Sequence, residues 1–85
     1  MPMKRVEAKY NEDLIKIGLK IASFRKLKGL TQEQLAEKTG DGRSTISNIE
    51  NSDKFYSMSL GTLFRIADAL DVPMRKLFDF RDTED

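Results

Sequence analysis

Residues Thr31 to Glu50, TQEQLAEKTGDGRSTISNIE, set two short helix-forming segments on either side of Gly40-Asp41-Gly42. Thr31 suits an N-cap, and Gln34 stands three residues later to reach back, the pattern of a capping box. Leu30 and Leu35 flank it at the positions of a hydrophobic staple, and Glu33 lies in the first turn, where the helix dipole favours an acid. This second helix runs to about Thr39. Gly40 can take the positive φ that a sharp turn needs. The next helix starts near Arg43 and ends near Asn51. It places Arg43, Ser44, Ser47 and Asn48 on one side and Ile46 and Ile49 on the other, since residues three and four apart share a face.

The rest of the chain supports a single all-α domain. Its 85 residues leave room for one modest core. A hydrophobic fraction of 39% and a charged fraction of 34% place it among soluble globular chains. From Glu12 to Lys28, Leu14, Ile17, Ile21, Phe24 and Leu27 recur at helical spacing. Gly18 sits inside that helix, where a small residue lets another helix approach, and Gly29 ends it. NSDKFYSMS reads as a loop. Ser59 can cap a fourth helix carrying Leu60, Leu63, Phe64, Ile66, Ala67 and Leu70. Pro73 suits the first turn of a fifth, short helix with Met74, Leu77 and Phe78 on its apolar face. The reading is a compact five-helix bundle over residues 12–80, preceded by a flexible basic arm, 1–11, and followed by an acidic tail, 81–85. Val6 and Tyr10 are the arm residues able to rest on the body.

Charge and composition narrow the function. Residues 1–30 hold eight Lys/Arg and three Asp/Glu, a balance of +5, whereas residues 31–85 hold seven and eleven, a balance of −4. The basic half can steer an anionic partner; ordinary charge scatter on a solvated surface is the plainer reading. With no Cys and no His, disulfides and thiolate metal sites are excluded, and a reducing cytoplasm is the expected setting. No apolar run approaches the ~18–20 residues that span a bilayer, so no membrane association is expected, and MPMKRVEAKY lacks the apolar core of a signal peptide.

Two helices joined by a tight glycine-containing turn form a helix-turn-helix, which lays its second helix in the DNA major groove. Arginine can donate two hydrogen bonds to guanine O6 and N7, asparagine can bond bidentately to adenine, and serine can contact either edge. Arg43, Ser44, Ser47 and Asn48 are therefore the candidate base-reading residues. A solvated polar helix face is the plain alternative. Glu50 falls with Ile46 rather than with this row. A carboxylate turned inward needs a partner, and Arg25, one turn on from Ile21, is the candidate; a solvated Glu50 is the other reading.

The stretches IGLKIASFRKLKGLTQEQLAEKTGDGRSTISNIE and LGTLFRIADALDVPMRKLF, from Ile17 to Phe78, resemble the phage-repressor/Cro, xenobiotic-response-element type of helix-turn-helix domain. The resemblance implies a lambda-repressor-like five-helix fold. It implies a homodimer on a palindromic, inverted-repeat operator in double-stranded DNA, and a repressor-like role in a prokaryote or phage. By position it makes Arg43, Ser44 and Asn48 the main base readers, with Ser47 beside them. It assigns DNA-backbone contacts to Thr31, Gln32, Thr45, Asn51 and Lys54, and a structural ion pair to Arg25 and Glu50.

Three positions depart from the family pattern. Asp41 stands where an apolar residue is usual, Gly42 where Ser or Thr caps the third helix, and Thr39 where an apolar residue is usual. Asp41 is then a possible substitute cap, and the turn is expected to be looser. The 52–58 loop is about two residues longer than the short family version. Its Phe55 and Tyr56 either cover a core edge or join a dimer contact.

Two rival functions remain at this point. One is an antitoxin-type module that binds a toxin and autoregulates its own operon, gripping through residues 1–11 or 79–85. The other is an enzyme, which the absence of His, Cys and a phosphate-binding glycine loop argues against. No cofactor or metal is implied. The expected dimer surface is the Phe78/Phe80 end with the 52–58 loop; Phe80 packing back on the first helix is the alternative.

Overall fold

The structure, a computed structural model, describes residues 10–51 and 58–81. Most of the 1–11 arm, Val6, Lys54, Phe55, Tyr56 and residues 82–85 of the tail lie outside the described residues. Those described form four α-helices and no strand: α1 (Asn11–Leu27), α2 (Gln32–Thr39), α3 (Arg43–Glu50) and α4 (Leu60–Leu70). A five-residue 3-10 helix, Met74–Phe78, follows where a fifth α-helix was expected. Pro73 fixes its entry, and the Lys76 amide reaches the Pro73 carbonyl three residues back at 2.9 Å. A segment this short closes on the tighter three-residue repeat.

Local sequence sets the helix ends. At the start of α2, Thr31 Oγ1 accepts from the Gln34 amide at 3.0 Å, and Gln34 Oε1 accepts from the Thr31 amide at 2.8 Å. Both halves of the capping box are present. Gly40, at φ 81°, ends α2 with its amide on the Ala36 carbonyl at 2.8 Å. At the end of α1, the amides of Gly29 and Leu30 close onto the carbonyls of Lys26 and Arg25, a Schellman pair. The end of α4 repeats that pattern with Asp71 in the left-handed position, φ 59°.

The core gathers one stripe from each helix. Ile17 and Ile21 of α1, Leu35 and Ala36 of α2, Ile46 and Ile49 of α3, and Leu63, Ile66, Ala67 and Leu70 of α4 are buried together, with Leu77 beneath them. Phe24, Leu30 and Phe80 pack against its edge. Phe80 thus turns back on the body, with the Lys16 ammonium 5.7 Å from its ring centre. Four apolar positions that follow the helical pattern are exposed: Leu27, in the last turn of α1, Leu60 and Phe64 on the outer face of α4, and Phe78 at the end of the 3-10 helix. Buried Lys20 joins the core side of α1, its ammonium 5.9 Å from the Phe24 ring. Its aliphatic stem can lie on apolar surface while the charge reaches outward.

Gly18 makes the closest helix approach possible. A Cβ there would fall onto the Ile49 carbonyl oxygen and within 3.1 Å of its carbon. Backbone therefore packs on backbone where α1 meets the end of α3. Gly→Ala in an exposed helix ordinarily stabilises by about 1 kcal/mol. Here Gly18→Ala is expected to destabilise by about 1–3 kcal/mol, because two backbones must separate. Urea unfolding of the two proteins checks the sign.

Candidate nucleic-acid interface

The position of α3 follows from its buried stripe. Ile46 and Ile49 are sealed in the core, which turns the opposite face of this eight-residue helix outward. Arg43 and Ser44 are exposed, and Ser47, Asn48 and Thr45 are half-buried. Among the described residues, the side chains of Arg43, Ser44, Ser47 and Asn48 make no hydrogen bond. The row anticipated from spacing is thus gathered on one surface with its donors and acceptors uncommitted.

A buried ion pair anchors the far end of α3. Arg25 Nε and Nη2 donate to Glu50 Oε2 and Oε1 at 2.8 and 2.9 Å, a bidentate fork. The third nitrogen, Nη1, donates to the Leu30 carbonyl at 2.7 Å. The two side chains are 11% and 4% exposed. The hydrogen bond to Glu50 raises the Arg25 pKa above its ordinary value, against a smaller opposing effect of burial. Gln32 joins this cluster, donating from Nε2 to Glu50 Oε1 at 3.0 Å. That contact was not anticipated. It fixes Gln32 at the head of α2 while leaving its second amide hydrogen available.

The start of α2 also faces outward. Its capping box occupies the amides of Thr31 and Gln34, and the amides of Gln32 and Glu33 have no intrahelical carbonyl to reach. Thr31 is exposed, and its hydroxyl, an acceptor in the cap, keeps its hydrogen to donate. Asn51 is half-buried just past α3, where its amide reaches the Asn48 carbonyl at 3.3 Å. The open crevice between α2 and the start of α3 is lined by Glu33, Glu37 and Asp41 as well as Arg43. Arg43 is thus the cation on an otherwise acidic edge. Among the described residues, no three His, Cys, Asp or Glu groups converge as metal ligands.

The turn departs from expectation in two respects. Gly42 is the N-cap of α3 and no side chain caps it; Asp41 does not substitute. Asp41 Oδ1 instead accepts from Arg65 Nη2 on α4 at 3.0 Å. Thr39 does not loosen the turn. Its buried hydroxyl donates to the Ala36 carbonyl and accepts from the Asp41 amide, both at 3.2 Å. A polar side chain in an apolar position is tolerated because both of its hydrogen-bonding roles are filled.

Two adjacent helices joined by this tight turn, with the second exposed along a polar face, match the helix-turn-helix family HTH_3 over residues 21–77. The chain belongs to that family. An uncharacterised HTH-type transcriptional regulator of Methanocaldococcus jannaschii is 40% identical over 65 residues, 76% of this chain and 96% of that protein. The controller protein C.AhdI of a restriction-modification system in Aeromonas hydrophila superimposes with a TM-score of 0.72 at 38% identity, covering 78% of this chain and 97% of that one. SinR, a master regulator for biofilm formation solved in complex with DNA, gives 0.68 at 36% identity, covering 74% and 98%. Within this HTH_3 chain, the Arg25–Glu50 pair ties α1 to the end of α3, and through Gln32 to the head of α2.

Breaking one partner of that pair strands a buried charge. Glu50→Ala is expected to cost about 3–5 kcal/mol, whereas Arg25→Met with Glu50→Leu, which removes both charges, costs much less. Denaturant melts of the single and double variants give the comparison.

Proposed function

We propose that this HTH_3 chain is a sequence-specific DNA-binding transcriptional regulator that enters the major groove with α3. The carrying observation is the uncommitted polar row on α3, held outward by two buried isoleucines and a buried ion pair. Arg43, Ser44, Ser47 and Asn48 read base edges. Thr31, Gln32 and the free amides at the head of α2 hold phosphate, as do Thr45, Asn51 and Lys54. The relatives are transcriptional regulators and a controller protein, which favours this reading over the antitoxin one. No helix among the described residues is long and apolar enough to cross a membrane; a cytoplasmic setting is part of the proposal, and a DNA partner is what supports it.

A homodimer on an inverted repeat is part of the proposal. Two recognition helices related by a twofold axis enter successive major grooves about 34 Å apart. Leu60 and Phe64, one turn apart on α4 and 65% and 58% exposed, supply an apolar patch for a second copy. That patch supports α4 over the Phe78/Phe80 end, where Phe78 is exposed but Phe80 is packed against the core.

Selection of bound sites from random duplexes identifies the operator. On it, Arg43→Ala is expected to relax preference at one base pair and cost about 1–3 kcal/mol. Gln32→Ala should weaken binding to all sequences alike. Retention of wild-type affinity and preference by both variants would end the base-reading assignment. For the dimer, Phe64→Glu should leave half-site binding unchanged and remove the added affinity for the full inverted repeat, measured by titration on the two duplexes.

A further inference from the structure

We infer that the Asp41–Arg65 ion pair determines specificity: through Asp41, α4 sets where the first turn of α3 presents Arg43. The inference rests on the reading of α3 as the base-reading helix.

The two ends of α3 are held very differently. Its C-terminal end has Ile49, the Gly18 contact and the Arg25–Glu50 fork. Its N-terminal turn has no side-chain cap, and Arg43 and Ser44 are both exposed. Ile46 is the first α3 residue in the core. Ahead of it, Asp41 stands between two glycines, and two bonds fix it. Its amide donates to Thr39 Oγ1 at 3.2 Å, which ties it to α2. Its Oδ1 accepts from Arg65 Nη2 at 3.0 Å, which ties it to α4. Arg65 is itself indexed, since the same nitrogen donates to Thr62 Oγ1 at 3.2 Å, and that hydroxyl lies 3.0 Å from Oγ of Ser59, the N-cap of α4. A chain of polar contacts therefore runs from the cap of α4 to the residue two before Arg43.

Stability does not account for this pair. The Arg65 side chain is 50% exposed, where solvent leaves an ion pair little net worth. The other carboxylate oxygen, Oδ2, is buried without a hydrogen-bond partner, which opposes folding. An apolar residue at 41 would remove that orphaned oxygen. What the carboxylate supplies is direction. A bidentate arginine–guanine contact requires both guanidinium nitrogens to meet O6 and N7 together, and Asp41 fixes the chain two residues upstream of the arginine that must do so.

The test compares the whole chain with Asp41→Leu, Arg65→Ala and the double variant. Each is titrated against the selected duplex and against duplexes altered at the base pair where Arg43→Ala relaxes preference, and separately at the one where Asn48→Ala does. Melting temperatures are recorded alongside. Asp41→Leu should melt at or above the wild type while its preference at the Arg43 position falls about tenfold and that at the Asn48 position holds. Arg65→Ala should show the same loss of preference, and the double variant no further loss. The two single variants change net charge in opposite directions, so a purely electrostatic effect would move their general DNA affinity apart and leave preference alone. That result overturns the inference. So does a lowered melting temperature with unchanged preference, and so does an Arg65→Ala variant that weakens on every sequence with a shallower salt slope, which marks a phosphate contact. If Arg43→Ala changes no preference in the wild-type background, the reading of α3 fails first, and the inference with it.

Discussion

A guanidinium and a carboxylate, both withdrawn from water, join the first helix to the third. The Arg25–Glu50 fork is costly to assemble, because each charge gives up hydration. It is tolerable because the geometry is bidentate and because Leu30 and Gln32 fill the remaining hydrogen-bonding positions. Once formed, it permits few arrangements of its neighbours. The loop after α1, the head of α2 and the tail of α3 all contribute to one cluster. Gly18 acts at the same junction by letting the Ile49 backbone sit directly on α1. Burial of the apolar stripes is non-directional, whereas the fork and the backbone contact each require one geometry.

The pinned end and the exposed end of α3 therefore divide the work. Burial and charge pairing immobilise Ile49 and Glu50, while Arg43 and Ser44 project from a turn that has two glycines and no side-chain cap. Thr39 and Asp41 leave the α3 amides uncapped, but they fix the turn itself from outside α3. The turn is held by α2 through the Thr39 hydroxyl and by α4 through the Arg65 guanidinium.

Much of this was legible in the sequence where the signal was local or periodic. Thr31 and Gln34 announced the capping box by their spacing, Gly40 the turn, and Ile46 with Ile49 the buried side of α3. The inward carboxylate of Glu50 called for a cation, and Arg25 was the one in phase. The missed features lack such a signal. Asp41 and Arg65 lie 24 residues apart on different elements, so nothing in either local pattern pairs them, and the local pattern offers Asp41 only as a substitute cap. Gln32 was read only toward solvent, because a helix head does not reveal which neighbour lies across from it. In α4, apolar residues occupy more than one stripe, and periodicity cannot say which stripe the core takes. Leu60 and Phe64 therefore stand in the same apolar set as Leu63 and Ile66 although they face outward. The last helix was read from Pro73 and its apolar residues, which mark a helical segment without distinguishing an α-helical turn from a 3-10 one.

The shortness of α3 sets a limit of another kind. Eight residues rise about 12 Å, and base pairs repeat every ~3.4 Å. One such helix spans about four of them. Four positions distinguish roughly 256 words, against ~10⁶–10⁹ competing addresses in a genome. On the reading proposed for α3, a single copy has too small a vocabulary to name one place, however well each side chain is aimed. Selectivity has to come from joining words, or from the stiffness of the letters between them.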